Sequence, residues 1–151
     1  MSRPYVCVRY HFVWSTWNRA PFLTPAVDPL VRDCIRAKCV ELGAVPLALG
    51  GVEDHLHLLV GAPATLAPAA LIGPVKGAAA HRANLLPELP FSFRWQGGYG
   101  VFSVSRWDED RVVAYIRNQR QHHSDHTVDT TLEITTDEPS PEGRSPAVPK
   151  G

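Results

Sequence analysis

Residues 5–14, Tyr-Val-Cys-Val-Arg-Tyr-His-Phe-Val-Trp, constrain the fold of this chain more than any other segment. β-Branched and aromatic side chains dominate the run, and such residues fit a pleated, half-buried surface. Alternation puts Val6, Val8, Tyr10, Phe12 and Trp14 on one face and Tyr5, Cys7, Arg9, His11 and Val13 on the other. Apolar residues stand on both faces, so the run predicts a central strand.

The following segments supply its partners. Asn18 to Pro25 reads as a loop. A helix is predicted from Pro25 or Asp28 to Leu42, stopped by Gly43, with Val27, Leu30, Val31, Cys34, Ile35 and Val40 as its apolar stripe. Val45–Leu49 reads as a short strand ended by Gly50-Gly51. Glu53-Asp54 reads as a turn, and His55–Val60 as a second strand, which together form an antiparallel hairpin. Ala64 to Leu86 is alanine-rich and predicts a helix. Pro68 fits its first turn, whereas Pro74 predicts a kink or a later start. Phe91 to Ser105 predicts one or two strands bent at Gly97-Gly98. Asp108-Glu109-Asp110 opens a last helix that runs to about His122. The order β-α-β-β-α-β-α gives an α+β fold, an antiparallel sheet with helices on one side.

The 151 residues suit a single domain, 1–126, followed by a tail, 127–151, rich in Thr, Glu and Pro and expected to be disordered. With 44% hydrophobic and 20% charged residues, the chain can bury a core, which excludes collagen-like, coiled-coil and wholly disordered chains. The formal net charge is zero, which argues against a non-specific DNA coat protein. That zero divides unevenly. The tail holds five acidic residues against Arg144 and Lys150, a net −3, so the remaining chain carries +3. A nucleic-acid partner is therefore permitted. Three cysteines, with no Cys-x-x-Cys spacing, make a disulfide framework or thiolate zinc site improbable. The opening residues lead into a strand rather than a signal peptide, and no apolar run reaches the ~18 residues of a membrane span. A cytoplasmic location is expected.

Two segments carry chemistry. His55 and His57 are two apart on a predicted strand, so both imidazoles face the same way and can converge on one cation. Leu56, Leu58 and Val60 then point into a core. The ordinary alternative is a pair of histidines on a polar strand face. In the last helix, Tyr115 and Gln119 are four apart and share a face. A tyrosine can act as a nucleophile if a cation or base aids its deprotonation. The ordinary alternative is a half-buried tyrosine with its hydroxyl in water. A cation held by His55, His57 and the Gln119 carbonyl would sit close to the Tyr115 hydroxyl and could serve as a Lewis acid on a phosphodiester. Spacing alone does not bring the two segments together.

Five blocks in register give the chain a family likeness. They are Tyr10-His11-Phe12-Val13-Trp14, Asp54-His55-Leu56-His57-Leu58-Leu59-Val60, Lys76-Gly77, Gly98-Tyr99-Gly100-Val101-Phe102-Ser103-Val104-Ser105, and Tyr115-Ile116-Arg117-Asn118-Gln119 with His122-His123. Over roughly residues 5–123 the chain resembles the single-tyrosine HUH transposases of small insertion sequences, the IS200-like family. The resemblance implies a ferredoxin-like HUH fold with an antiparallel sheet flanked by helices. It implies His55, His57 and Gln119 as ligands of Mg2+ or Mn2+, and Tyr115 as the nucleophile that keeps the 5′ end of a cut single strand. It also implies homodimers acting on DNA hairpins at element ends, with no nucleotide cofactor, because a phosphotyrosine conserves the energy for rejoining. Glu53-Asp54, Pro74 and residues 127–151 depart from the family pattern. Lys76, Arg82, Arg117 and Arg120 are candidate DNA-binding residues, and Arg94 and Arg106 could extend a basic surface. Trp17, Trp95, Tyr99 and Trp107 receive no base-stacking role. Two other functions fit the same residues: a domesticated or inactive relative that binds hairpin DNA without transposing, and a metal-binding interaction protein without chemistry.

Overall fold

A computed structural model describes residues 2–135. Strand β1 (Val8–Ser15) is followed by α1 (Asp28–Glu41), β2 (Val45–Val52), β3 (His55–Ala62), α2 (Pro68–Asn84), β4 (Gly100–Ser103), α3 (Glu109–Arg117) and α4 (Gln119–Asp125). The four strands form one antiparallel sheet in the order β2-β3-β1-β4. The predicted α+β class holds, and β1 is a central strand with Phe12, Val13 and Trp14 fully buried.

The helices cover both faces of the sheet, not one as the element order suggested. On one face, Phe12, Trp14, Leu56, Leu58 and Val60 pack with Val31, Ile35 and Cys39 of α1 and with Leu71, Ile72 and Val75 of α2. On the other, Ala48 and Leu59 pack against Val112 and Ile116 of α3. The reason lies in β3, all eight residues of which are buried. A strand buried on both sides, apolar on one and carrying His55 and His57 on the other, needs a layer on each. No helix among the described residues is long and apolar enough to cross a membrane.

Two expectations give way to packing. Helix α2 is continuous through Pro74, although a proline inside a helix lacks an N–H and crowds the preceding turn. Leu71, Ile72 and Val75 bracket the proline and are buried against α1, at about 1.5–3 kcal/mol for each large apolar side chain. Strand β2 does not stop at Gly50-Gly51 but runs through them to Val52. A Cβ on Gly50 would run into the backbone carbonyl of Ile116, so the missing side chain is what lets α3 lie close on the strand.

The last helix also differs from expectation. Asn118, with φ −101° and ψ 23°, divides it into α3 and α4, and α4 continues past His122 to Asp125. His126 follows with a left-handed φ of 56°. Residues 127–135, expected to belong to a disordered tail, instead fold back over the sheet. A short 3-10 turn spans Thr130–Leu132, and the carboxylate of Asp129 accepts from the Thr131 N–H at 3.0 Å. The carbonyl of Ile134 lies where a Cβ on Gly100 would stand. The expected tail beyond Thr135 lies outside the described residues.

Candidate metal and nucleophile site

The β2-β3 hairpin sets the geometry. Its register pairs Val52 with His55 across the Glu53-Asp54 turn. Asp54 therefore lies outside β3, and its carboxylate turns back to accept from His55 Nδ1 at 2.7 Å. That bond orients the ring and leaves Nε2 facing inward. β1 pairs Val13 with His57 and Ser15 with His55, so these residues share the face under α3 and α4. His55 and His57 are both buried, with ring centroids 5.2 Å apart.

The two helices complete the site from above. Tyr115 is near the end of α3, and its ring meets His57 edge-on at 5.8 Å. Gln119 begins α4 and is buried. Its amide nitrogen donates to the Tyr115 carbonyl at 3.3 Å, which turns Oε1 toward His55 Nε2, 3.4 Å away. The structure thus brings His55, His57, Tyr115 and Gln119 together.

Three participants escaped the sequence reading. Glu133, from the segment after α4, places Oε2 2.9 Å from His57 Nε2 and 3.2 Å from His55 Nε2. Its Oε1 accepts from the Tyr115 hydroxyl at 2.7 Å. That hydroxyl in turn accepts from the Asp129 N–H at 3.0 Å. His123, one turn after Gln119, places Nε2 3.2 Å from both His55 Nε2 and Gln119 Oε1. His11 is fully buried and shares a 2.8 Å hydrogen bond with His57 Nδ1. The spacing of Gln119 and His123 was visible in the sequence. The positions of Glu133 and His11 depend on chain return and strand register, which were not.

The charges are strongly coupled. Burial alone would lower His55, but hydrogen bonds to Asp54 and Glu133 outweigh it and lift its pKa to about 9. Burial pulls His57 below its ordinary value despite Glu133. Burial and the neighbouring His57 hold His11 at about 3, so that ring is neutral. Burial would raise the Glu133 carboxyl, yet the hydrogen bonds from His55 and His57 hold it well below the carboxylate range. Burial, then the contact with Glu133, pushes the Tyr115 hydroxyl up to about 12.

The donor set suits a cation. One ligand atom each from His55, His57 and Glu133 lie within 4.8 Å of one another. Gln119 Oε1 and the ionised Glu133 have no proton to give, and both converge on His55 Nε2. Acceptors that converge on too few protons are what a divalent ion resolves.

The basic candidates do not form one patch. Lys76, on α2, donates to the carbonyls of Gln96 and Gly98 at 2.9 and 2.7 Å. Arg82 lies on the same helix, beside Cys34 of α1, on the sheet face opposite the site. Arg117 ends α3 and borders a small cavity with Arg36 and Leu47. Arg120 pairs with Glu53 at 2.7 Å. It lines a cleft of about 640 Å³ with Arg19, Asp54, His55 and His123.

Known proteins share this arrangement of elements. A family model described as Transposase IS200 like matches residues 5–119. The ISDra2 transposase TnpA of Deinococcus radiodurans is 26% identical over 117 residues, covering 74% of this chain and 84% of that protein. The crystal structure of a candidate transposase from Deinococcus radiodurans R1 matches with a TM-score of 0.63 at 30% identity, covering 79% of this chain and 96% of that one. A REP-associated tyrosine transposase bound to a REP hairpin matches with a TM-score of 0.61, over 85% of this chain and 74% of that one. Its identity is 17%, a likeness of fold alone. The matched span runs from the first strand to Gln119 and takes in His55, His57 and Tyr115, so the chain belongs to the IS200-like transposases, a family of DNA-processing enzymes.

Proposed function

We propose that this chain cuts and rejoins single-stranded DNA at hairpin-marked element ends, with Tyr115 as nucleophile and His55, His57 and Gln119 as ligands of Mg2+ or Mn2+. The observation that carries this reading is the convergence of the Tyr115 hydroxyl and the two histidines on one carboxylate, Glu133. That places a phenol beside a cation-type donor set. The bound ion would supply Lewis-acid polarisation of the phosphate and favour the phenolate over the phenol.

The chain's own groups do the rest. Asp54 holds the His55 ring. The Gln119 amide, anchored on the Tyr115 carbonyl, ties the nucleophile's helix to the ligand set. In the reaction the phenolic oxygen bonds to phosphorus and the 3′ oxygen leaves. This gives a free 3′-hydroxyl, once protonated, and a 5′-phosphotyrosine. The Tyr115 O–H donates to Glu133 Oε1 in the resting site and is aligned by it. Because that carboxyl is held well below the usual range and is a poor base, the phenolic proton leaves to water. Attack by a 3′-hydroxyl on the phosphotyrosine reverses the step, so rejoining needs no nucleotide cofactor. Two copies of the chain acting together, and phosphate contacts from Lys76, Arg82, Arg117 and Arg120, belong to the same proposal. The REP-hairpin complex of the structural relative supports hairpin DNA as the substrate class.

One observation favours a second reading, a relative that binds hairpins without transposing. The Tyr115 hydroxyl is engaged on both sides by the segment after α4. A denaturing gel separates the two. The protein is incubated with labelled single strands from the DNA flanking its gene, with Mn2+, beside Tyr115→Phe. A slow-migrating adduct that needs both metal and Tyr115 is the expected result. A native-gel shift with hairpins but no adduct would support the second reading.

A further inference from the structure

His123 is not used by the reaction scheme above, yet it faces the same centre. It follows Gln119 by four residues on α4, so the two side chains lie one above the other on one helix face. From that face Gln119 Oε1 and His123 Nε2 approach His55 Nε2 at 3.4 and 3.2 Å. The His123 and His55 rings meet edge to face, with centroids 4.8 Å apart. The adjacent His122 turns elsewhere: it stacks on the Tyr115 ring at 4.7 Å, and its Nδ1 pairs with Thr127. One histidine of the pair therefore addresses the nucleophile and the other addresses the ligand set.

The proton count around His123 is short. His55 Nδ1 is committed to Asp54. His55 Nε2 can carry one proton, and it is approached by Glu133 Oε2, Gln119 Oε1 and His123 Nε2. Two of these three are obligate acceptors. His123 can relieve only part of the crowding by donating to Gln119 Oε1 at 3.2 Å. An ion at this end of the site would take the lone pairs of His55 Nε2, Gln119 Oε1 and His123 Nε2, which lie 3.2 to 3.4 Å from one another, with Glu133 Oε1 4.0 Å from His123. His123 is also about one-third exposed and lines the cleft beside His55, so an ion entering from that cleft meets it on the way in.

We propose that His123 is a further protein ligand of the divalent ion, and that this third imidazole biases the centre toward first-row transition ions over magnesium. The inference rests on the metal-dependent reading of the site. Imidazole suits manganese, cobalt, nickel and zinc, whereas magnesium prefers an oxygen shell and gives up its waters reluctantly. With His55 and His57 alone, the protein offers two nitrogen donors beside the oxygens of Gln119 and Glu133. With His123 it offers three.

The test is metal binding by the full chain after chelator treatment. Co2+ is followed by its visible absorption, Mn2+ by loss of the free-ion EPR signal, and Mg2+ by competition. Wild type, His123→Ala and His123→Gln are compared, with circular dichroism to confirm folding. The expected result is a fall of about 10-fold or more in Co2+ and Mn2+ affinity for His123→Ala. Its Co2+ band should shift, and its Mg2+ affinity should change less. His123→Gln keeps a hydrogen-bonding side chain but loses the nitrogen donor, so it should also shift the band; a wild-type band in that variant would reduce His123 to a buttress for Gln119. Unchanged Co2+ affinity and spectrum in His123→Ala overturn the proposal, as does an equal loss for Mg2+. If the wild type forms the Tyr115 adduct while His123→Ala binds metal normally, this inference alone fails. If the wild type binds none of the three ions, the metal-dependent reading fails with it.

Discussion

The two faces of β3 are one residue apart in sequence and opposite in purpose. Leu56, Leu58 and Val60 enter a layer packed by α1 and α2. His55 and His57 enter a polar centre roofed by α3 and α4, with Leu59 alone continuing the apolar contact toward Ile116. The first face gains stability from area removed from water, and its neighbours are interchangeable within limits of volume. The second buries imidazoles and a carboxylate, which is costly unless every group is paired. The lesson is a division of labour. The apolar face holds the strand still, and that rigidity lets the polar face keep its donors within ångströms of one another.

That contrast can be broken from either side. The largest effect should come from Tyr115→Phe, which removes the hydroxyl between Glu133 and the Asp129 N–H. Adduct formation should fall below detection while the melting temperature and hairpin binding hardly change. Undiminished cleavage would remove Tyr115 from the mechanism. His57→Ala should come next: metal affinity should fall by about 10-fold or more, and cleavage with it. Excess Mn2+ should restore part of the activity, whereas normal cleavage in Mg2+ would mean the metal site is misassigned. On the opposite face, Leu58→Ala should lower stability by about 2–5 kcal/mol in denaturant unfolding. The folded fraction should keep its affinity for metal, and a metal-specific defect would show that the faces are not independent. The smallest effect should come from Lys76→Met. It removes the ammonium from the Gln96 and Gly98 carbonyls, at about 1.5–3 kcal/mol for charged hydrogen bonds. Hairpin affinity of the folded variant should also fall, as the proposed phosphate contact requires; unchanged hairpin affinity would leave Lys76 with the structural role alone.

How much of this was legible in the sequence follows the same division. The hydrophobic alternation of residues 5–14 and 55–60 placed β1 at the centre, and it set His55 and His57 on one face with Leu56 and Leu58 on the other. The i,i+4 spacing brought Tyr115 and Gln119 to one side. The structure joins these segments through the contact of α3 with β2, which no local pattern encodes. Propensity speaks for a single segment, so Pro74 reads as a kink or a later helix start and Gly50-Gly51 as the end of a strand. Burial of α2 against α1, and the approach of α3, override it. Glu133 was hidden by its surroundings, since a glutamate in a Thr- and Pro-rich stretch looks solvated until the chain folds back. His11 needed the β1-β3 register to be seen beside His57.

Gly50 has a consequence for anyone who wishes to alter this protein. Where α3 crosses β2, two main chains meet with no side chain between them. The gap between the sheet and α3, the helix that carries Tyr115, is therefore closed to a side chain at this point, like a shim of zero thickness. A single methyl group at position 50 would lift the helix and carry the Tyr115 oxygen away from the histidines. A substitution at Gly50 can therefore move Tyr115 away from the sheet but not closer to it.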